Sequence, residues 1–343
     1  MTILAAPTDS VRPNSRAAEP TWHDELRHAI RDPAELCRLL RLPPEVAAEA
    51  ALAAADFPLF VPRPYLARIK PGDPSDPLLR QVLPLGEERA EIPGFVIDPV
   101  DDVAAQLAPG LLQKYPGRAL LVTTGVCAIH CRYCFRRHYP YSAAPKSFAA
   151  WEPALACIAA DSSLAEVLLS GGDPLVLQDD MLASLAGRLA DIPHVRRLRI
   201  HTRLPIVIPQ RVCDDLLAWL TGTRLTPMVV VHANHPAELD GAVARALGRL
   251  VDAGIPVLNQ SVLLRGVNDT ADVLAELCER LADLRVIPYY LHQLDAVAGA
   301  AHFDVPESFG RLIIEQLQSR LPGYAVPRYV REVPGHSSKT GIA

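Results

Sequence analysis

Apolar residues along this chain change their period twice. From Trp22 to about Phe57 they recur at three- and four-residue steps, as in DELRHAIRDPAELCRLLRL, which predicts helices, one of them starting at Asp32 before a proline. Residues 58–110 break that period with prolines (FVPRP, KPGDPSDP, EIPGF) and predict an irregular wrapping segment. Short β-branched runs follow at RALLVTT (118–124), EVLLSGG (166–172), RLRIHTR (197–203), MVVVHAN (228–234), PVLNQSVLL (256–264) and VIPYYLHQL (286–294). Helical stretches such as 179–192 and 237–254 separate them. After the first run, strands begin roughly thirty residues apart, the length of a βαβ unit.

Six strands alternating with helices predict a parallel sheet, either doubly wound and open or curved into a barrel. The runs end in chemically capable residues: TTGVC, SGGD, HTR, HANH, NQS and HQLD. In a barrel those ends converge on one mouth, whereas an open sheet gathers its ligands at a switch point. Polar endings on all six favour the curved sheet. Six repeats fall short of eight, so the predicted fold is α/β, a partial (β/α)6 barrel.

Composition narrows the classes. The chain has 343 residues, 50% of them hydrophobic, which is ample for a large core. Its net charge of −5 is spread without a basic stripe, so no nucleic-acid partner is expected. No apolar window approaches the ~18 residues of a membrane span. Residues 1–20 lack a basic n-region and an apolar h-region, and read as a flexible leader on a cytoplasmic protein. Seven cysteines, three of them clustered, do not suit a secreted disulfide framework.

That cluster lies in GVCAIHCRYCFRRHYPY (125–141), where Cys127, Cys131 and Cys134 are followed by Arg136 and Arg137. One reading is a closed zinc site completed by His130 or His138. Against it, Cys37, Cys157, Cys213 and Cys278 are isolated in predicted helices, so no second Cys pair exists. The other reading is a four-iron cluster with three protein thiolates, which leaves one iron for a ligand. Spacing alone leaves both open. SGGDP (170–174) is either a turn whose glycines let the backbone approach a ligand or a plain βα turn.

Only four lysines occur, at 70, 114, 146 and 339, in a chain that otherwise uses arginine. A lysine amine can form a Schiff base and a guanidinium cannot, but Lys339 also suits a solvated tail. His232, Asn234, His235 and Gln260 end two strands toward the mouth, as cavity lining or as hydrogen-bonded packing. Tyr289 and Tyr290 read as packing.

A Cx3CxxC loop after the first strand of a βα repeat, with Tyr133 before its last cysteine, resembles the radical S-adenosylmethionine (SAM) enzymes. KYPGRALLVTTGVCAIHCRYCFRRHYPY, LLSGGDPL, NQSVLLRGVND, PYYLHQLDAVAGAAHF and GYAVPRYVREVPGHSSKT together resemble the lysine 2,3-aminomutase family over nearly the whole chain. The resemblance implies a radical SAM barrel over 111–300, after an N-terminal helical and irregular segment over 21–110. A C-terminal helix and pyridoxal phosphate (PLP) lysine tail over 301–343 would complete it.

It also implies residue roles. Cys127, Cys131 and Cys134 would hold a 4Fe-4S cluster with SAM on its unique iron, and Gly171, Gly172, Asp173 and Gln260 would contact SAM. Lys339 would carry PLP, with Tyr115 and Arg118 at its phosphate. Arg136 would bind the substrate carboxylate, and Asp295 and Glu332 a distal ammonium. Arg137 is left as a surface or ion-pair charge. Two carboxylates repel a dicarboxylic substrate, so lysine is expected over glutamate; salt bridges to Arg328 or Arg331 are the alternative use of those acids.

Within the family, the WHDELRHAIRDPAELCRLL opening and the YYLHQLD–GAAHF stretch resemble the subgroup that makes (R)-β-lysine from (S)-α-lysine for elongation factor P. Glu332 stands where the free-lysine enzymes carry Asp, and their longer extension has no counterpart before Ala343. A metabolic aminomutase making (S)-β-lysine or another β-amino acid is the alternative, and a non-enzymatic metal scaffold a third reading. Implied partners are L-lysine, an electron donor such as flavodoxin or ferredoxin, and, functionally, elongation factor P and its lysyl ligase. A homo-oligomer is allowed.

Overall fold

The computed structural model describes residues 20–141, 145 and 147–343, so the predicted leader, Pro20 apart, lies outside the described residues. Ten strands form one sheet in unbroken chain order. They are β1 (Gln106–Ala108), β2 (Leu111–Tyr115), β3 (Arg118–Thr124), β4 (Glu166–Gly171), β5 (Arg197–His201), β6 (Thr226–Val231), β7 (Val257–Val262), β8 (Ile287–His292), β9 (Arg328–Arg331) and β10 (Thr340–Gly341). From β3 to β9 every neighbour is parallel; β1–β2, β2–β3 and β9–β10 are antiparallel.

An order that never reverses has no switch point, which excludes the doubly wound alternative. β1 and β10 do not pair, so the barrel is partial. It differs from the prediction in having seven parallel strands. RYVR of β9 is four residues long, too short for its pattern to register, and becomes a strand by pairing Tyr290↔Arg328 through His292↔Val330 on β8. β2 and β3 form a hairpin at KYPGR, where Tyr115 pairs with Arg118 and Gly117 turns at φ +76°.

Helices between strands bury one stripe each. In Gly241–Asp252, capped by the Asp240 carboxylate on the N–H groups of Ala242 and Val243, the buried residues are Val243, Ala246, Leu247 and Leu250. Thr270 caps Ala271–Asp283 in the same way, and Leu274, Leu277, Cys278 and Leu281 face the core. The expected helix start at Asp32 is present, its side chain accepting from the N–H of Ala34. Cys213 departs from expectation: it is the extended residue before Asp214–Thr221, not a helical one.

A second, small core of Tyr133, Leu264, Val267, Leu294, Val297, Ala300 and Phe303 lies under the mouth. Through Tyr133 it anchors the cysteine loop to the loops that follow β7 and β8. No helix among the described residues is long and apolar enough to cross a membrane.

Candidate active site

The cysteine loop leaves β3 at Thr124 and is held from the β4 side and from the N-terminal segment. From the β4 side, the N–H of Gly172 donates to Thr124 O at 2.8 Å and that of Asp173 to Val126 O at 2.8 Å. A Cβ on Gly172 would sit 2.2 Å from Val126 O, and one on Gly171, at φ +122°, 2.5 Å from Thr124 O. Both glycines are therefore required by chain-on-chain packing against the loop. Asp173 is saturated inside the protein: it accepts from Thr202 Oγ1 (2.7 Å) and from the N–H groups of Arg203 (2.7 Å), Leu204 (3.1 Å) and Leu175 (3.0 Å).

From the N-terminal side, Glu88 accepts two bonds from Arg132, at 2.8 and 2.6 Å, and one from Arg137 at 2.8 Å. All three side chains are at most 3% exposed, and both guanidinium groups lie over Phe57 at 4.7 Å. Arg137, expected as a surface or ion-pair charge, is thus a buried ion pair; it also binds Gly299 O at 2.9 Å. Of the two histidines offered as a fourth zinc ligand, His130 binds Pro58 O through Nδ1 (2.7 Å) and His138 binds Ala298 O (3.0 Å).

At least one pair of the sulfurs of Cys127, Cys131 and Cys134 lies beyond 4.8 Å, because the three do not form a compact metal-capable group among the described residues. Tetrahedral zinc requires sulfurs ~3.8 Å apart, given its ~2.3 Å Zn–S bonds. Burial pushes the Cys134 thiol up to about 11 and holds the Cys127 thiol well above its ordinary value, so neither is a thiolate without a bound cation. The compact group that does occur is Asp179, Cys213 and Asp215. There Asp179 is already bound by Arg211 at 2.6 Å and Trp219 at 2.8 Å, a structural ion pair.

A line of contacts runs from this loop to the chain's C-terminus. Arg136 Nε donates to Asp102 at 2.6 Å, Lys114 Nζ lies 2.7 Å from the other Asp102 oxygen and 4.0 Å from Glu332, and Lys339 Nζ donates to Glu332 at 2.6 Å. Tyr115 O–H donates to Glu332 at 2.5 Å, under the guanidinium of Arg118, 4.5 Å from its ring. Burial opposes the charge on Glu332, but Lys339 and the Tyr115 hydroxyl outweigh it and hold the carboxyl below its ordinary range. Asp102 is held low against burial by Arg136 and Lys114. Arg331 pairs with Glu307 at 2.7 Å, and among the described residues neither Arg331 nor Arg328 pairs with Glu332 or Asp295.

Asp295 faces the same space with its carboxyl pushed up to about 7, chiefly by burial, with Lys339 pulling down and Glu332 pushing up. The Arg118 side chain has no hydrogen bond or ion pair among the described residues. Arg136 keeps Nη2 without a protein partner among them, while Nη1 reaches Ser170 Oγ at 3.4 Å.

Three histidines line the interior. His232 is driven down to about 3 by burial and Arg203; His201 and His292 are also pushed well below their ordinary value, first by burial and then by nearby cations including Lys339. All three are neutral at pH 7. Gln260 lies on β7 and pairs in register with Tyr290. Asn234 and His235 are packing residues: Asn234 bonds Tyr133 (2.7 Å), Gln81 (3.0 Å) and the N–H of Val262 (2.8 Å), and His235 caps the turn at Ala237. Tyr289 and Tyr290 pack ring on ring at 3.8 Å. Sequence reasoning missed Glu88, Asp102, Lys114, Arg203, His201 and His292; the strand-end strings HTR and HQLD contained the only signal for the last three.

This geometry defines a class: an enzyme built at the C-terminal mouth of a parallel partial barrel, with a thiol-rich loop at one wall and a lysine–carboxylate pair at another. Comparison with known proteins sharpens it. No protein-family model matches the chain. It is 44% identical to the L-lysine 2,3-aminomutase of Haemophilus influenzae over 322 residues, 94% of this chain and 95% of that one. Identity to the Escherichia coli L-lysine 2,3-aminomutase is 46%, covering 94% of both. To that of Clostridium subterminale it is 36%, covering 94% of this chain and 77% of the other.

Among solved structures, a radical SAM methyltransferase from Sphaerobacter thermophilus is 19% identical, with a TM-score of 0.43 over 64% of this chain and 68% of that one. The chain belongs to the L-lysine 2,3-aminomutase family, a family of isomerases.

Proposed function

We infer that the protein is a radical SAM and PLP-dependent lysine 2,3-aminomutase, converting (S)-α-lysine to (R)-β-lysine for the modification of elongation factor P. The observation that carries this reading is the continuous line Arg136–Asp102–Lys114–Glu332–Lys339. It joins the cysteine loop to a lysine more than 200 residues away, so a thiol-held cluster and a lysine-held cofactor would serve one cavity.

The residues fit the groups. Three half-buried thiols spread wider than one ion requires suit a 4Fe-4S cluster, and Arg118, with its side-chain N–H groups uncommitted, suits a phosphate. Bound there, the cluster and SAM would supply a hydrogen-abstracting radical, and PLP would hold the migrating nitrogen. The protein's own part is to bind and orient. Arg136 is clamped by Asp102 on Nε and offers Nη2 to the α-carboxylate. Asp295 and Glu332 face the other end of a substrate and favour a distal ammonium over a carboxylate. Glu332 is balanced by Lys339 in this structure and by the substrate's ammonium in the reading proposed. Neutral His201, His232 and His292 add no positive charge to repel it.

The test is an anaerobic assay of iron–sulfur-reconstituted protein with SAM, PLP, a reductant and L-lysine, with products resolved by chiral chromatography. Chiefly (R)-β-lysine supports the elongation factor P role, and (S)-β-lysine moves the protein to free-lysine metabolism. No β-lysine from protein with both cofactors loaded overturns the substrate assignment. In Lys339→Ala the PLP absorbance should vanish while iron content stays at the wild-type value.

A further inference from the structure

Of the three cysteines, Cys131 alone has a side-chain donor among the described residues: Arg203 Nη1 lies 2.7 Å from its sulfur. Cys134 instead faces the backbone N–H of Arg136. Arg203 follows β5, and its backbone N–H is fixed by the Asp173 carboxylate at 2.7 Å. Its Nη2 donates to Gln81 Oε1 at 2.6 Å and to Glu238 Oε2 at 2.9 Å. The other Glu238 oxygen is taken up by the N–H groups of Asn234 (2.8 Å) and His235 (3.1 Å) and by Gln81 Nε2 (3.2 Å). The guanidinium is 7% exposed, lies 5.5 Å from the ring of Tyr65 and 5.7 Å from that of Tyr133, and its Nε–H is buried without a partner.

An arginine bound in this way cannot swing aside, and a buried N–H left unpaired costs free energy that packing alone does not recover. Stability does not explain placing such a charge against a thiol. A ligand sulfur does. A hydrogen bond to a cluster ligand withdraws electron density from it, and a nearby buried cation favours whichever oxidation state is more negative. That state is the reduced one, which carries one electron more.

We propose that Arg203 sets the reduction potential of the cluster held by Cys127, Cys131 and Cys134, raising it through the Cys131 sulfur, with Glu238 as the opposing charge that limits the rise. The step concerned is a one-electron reduction by an external low-potential donor, with no bond made or broken and no proton moved. Arg203 is a positioning residue: it touches a cluster ligand, not substrate. The inference rests on the cluster reading above.

The experiment is a redox titration of reconstituted protein without lysine, followed by electron paramagnetic resonance, with iron and sulfide counted for each variant. In Arg203→Gln/Glu238→Gln, which removes both charges together, the midpoint should fall. At the wild-type midpoint the reduced-to-oxidised ratio should drop about tenfold, a shift of about 59 mV for one electron. In Glu238→Gln, which leaves Arg203 uncompensated, it should rise. Opposite shifts are not expected of a merely structural arginine. If the double variant fails to hold iron, Glu238→Gln decides alone: a raised midpoint supports the assignment and an unmoved one overturns it. Full iron with unmoved midpoints in both variants overturns this inference and leaves the cluster reading intact. Wild-type protein that takes up no iron overturns both.

Discussion

Replacing Asp295 by Asn should stabilise the cofactor-free protein and damage its function, each with its own pH dependence. The carboxyl lies among Lys339, Glu332, Lys114 and Asp102, and burial lifts its pKa from 3.8 to about 7. Between those values the folded state holds a proton that the unfolded state has lost, so stability falls as pH rises from about 4 to 7 and stays low above. The shift of about 3 units, at ~1.36 kcal/mol each, caps the penalty near ~4 kcal/mol at pH 8. At pH 5 only the first unit or so has been incurred, about 1.6 kcal/mol. Water at the mouth reduces both figures.

Asparagine carries no penalty, so its gain in urea unfolding should be at least twice as large at pH 8 as at pH 5. Lysine binding runs the other way. A charge-assisted bond is worth roughly 1.5–3 kcal/mol, so KM for lysine should rise about 10- to 150-fold in the variant. Wild-type KM should fall as pH rises through about 7, and that dependence should be absent from Asp295→Asn. An equal stability gain at both pH values, or a variant KM that keeps the wild-type profile, refutes the reasoning.

Gly172→Ala should displace the cysteine loop, because its Cβ would meet backbone at 2.2 Å and no side chain can yield; iron per chain should fall by more than half, and full loading would contradict this. Glu88→Gln leaves two buried guanidinium groups under-compensated. It should cost roughly 3–5 kcal/mol in denaturant unfolding, and a loss below about 1 kcal/mol would show that the pair is idle. Glu332→Gln removes the charge that faces both Lys339 and Tyr115. Its effect should fall on KM for lysine by about tenfold or more, while a normal KM would exclude Glu332 from the ammonium site.

The parallel strands from β3 to β8 were legible from their β-branched runs and polar ends, to within two or three residues. The seventh parallel strand and the β1–β2 pair were not. Their segments are short and acquire strand geometry only by bonding to a neighbour already in place. SGGDP was legible as a turn with two readings left open, but what makes its glycines necessary, the Thr124 and Val126 carbonyls pressed against them, belongs to β3 and the loop that follows it.

By itself the sequence determined the βα alternation and the thiol loop after its first strand. These are local properties: period and spacing act over a few residues, and a chain carries them wherever it goes. Only the tertiary structure decided which charges meet. Arg203 and Cys131 are 72 residues apart in sequence, Arg203 and Gln81 122, and Tyr115 and Glu332 217. No local pattern links such pairs. They are forced together because burial in a medium of low dielectric obliges each charge to find a partner once the sheet has curved and closed the mouth around them.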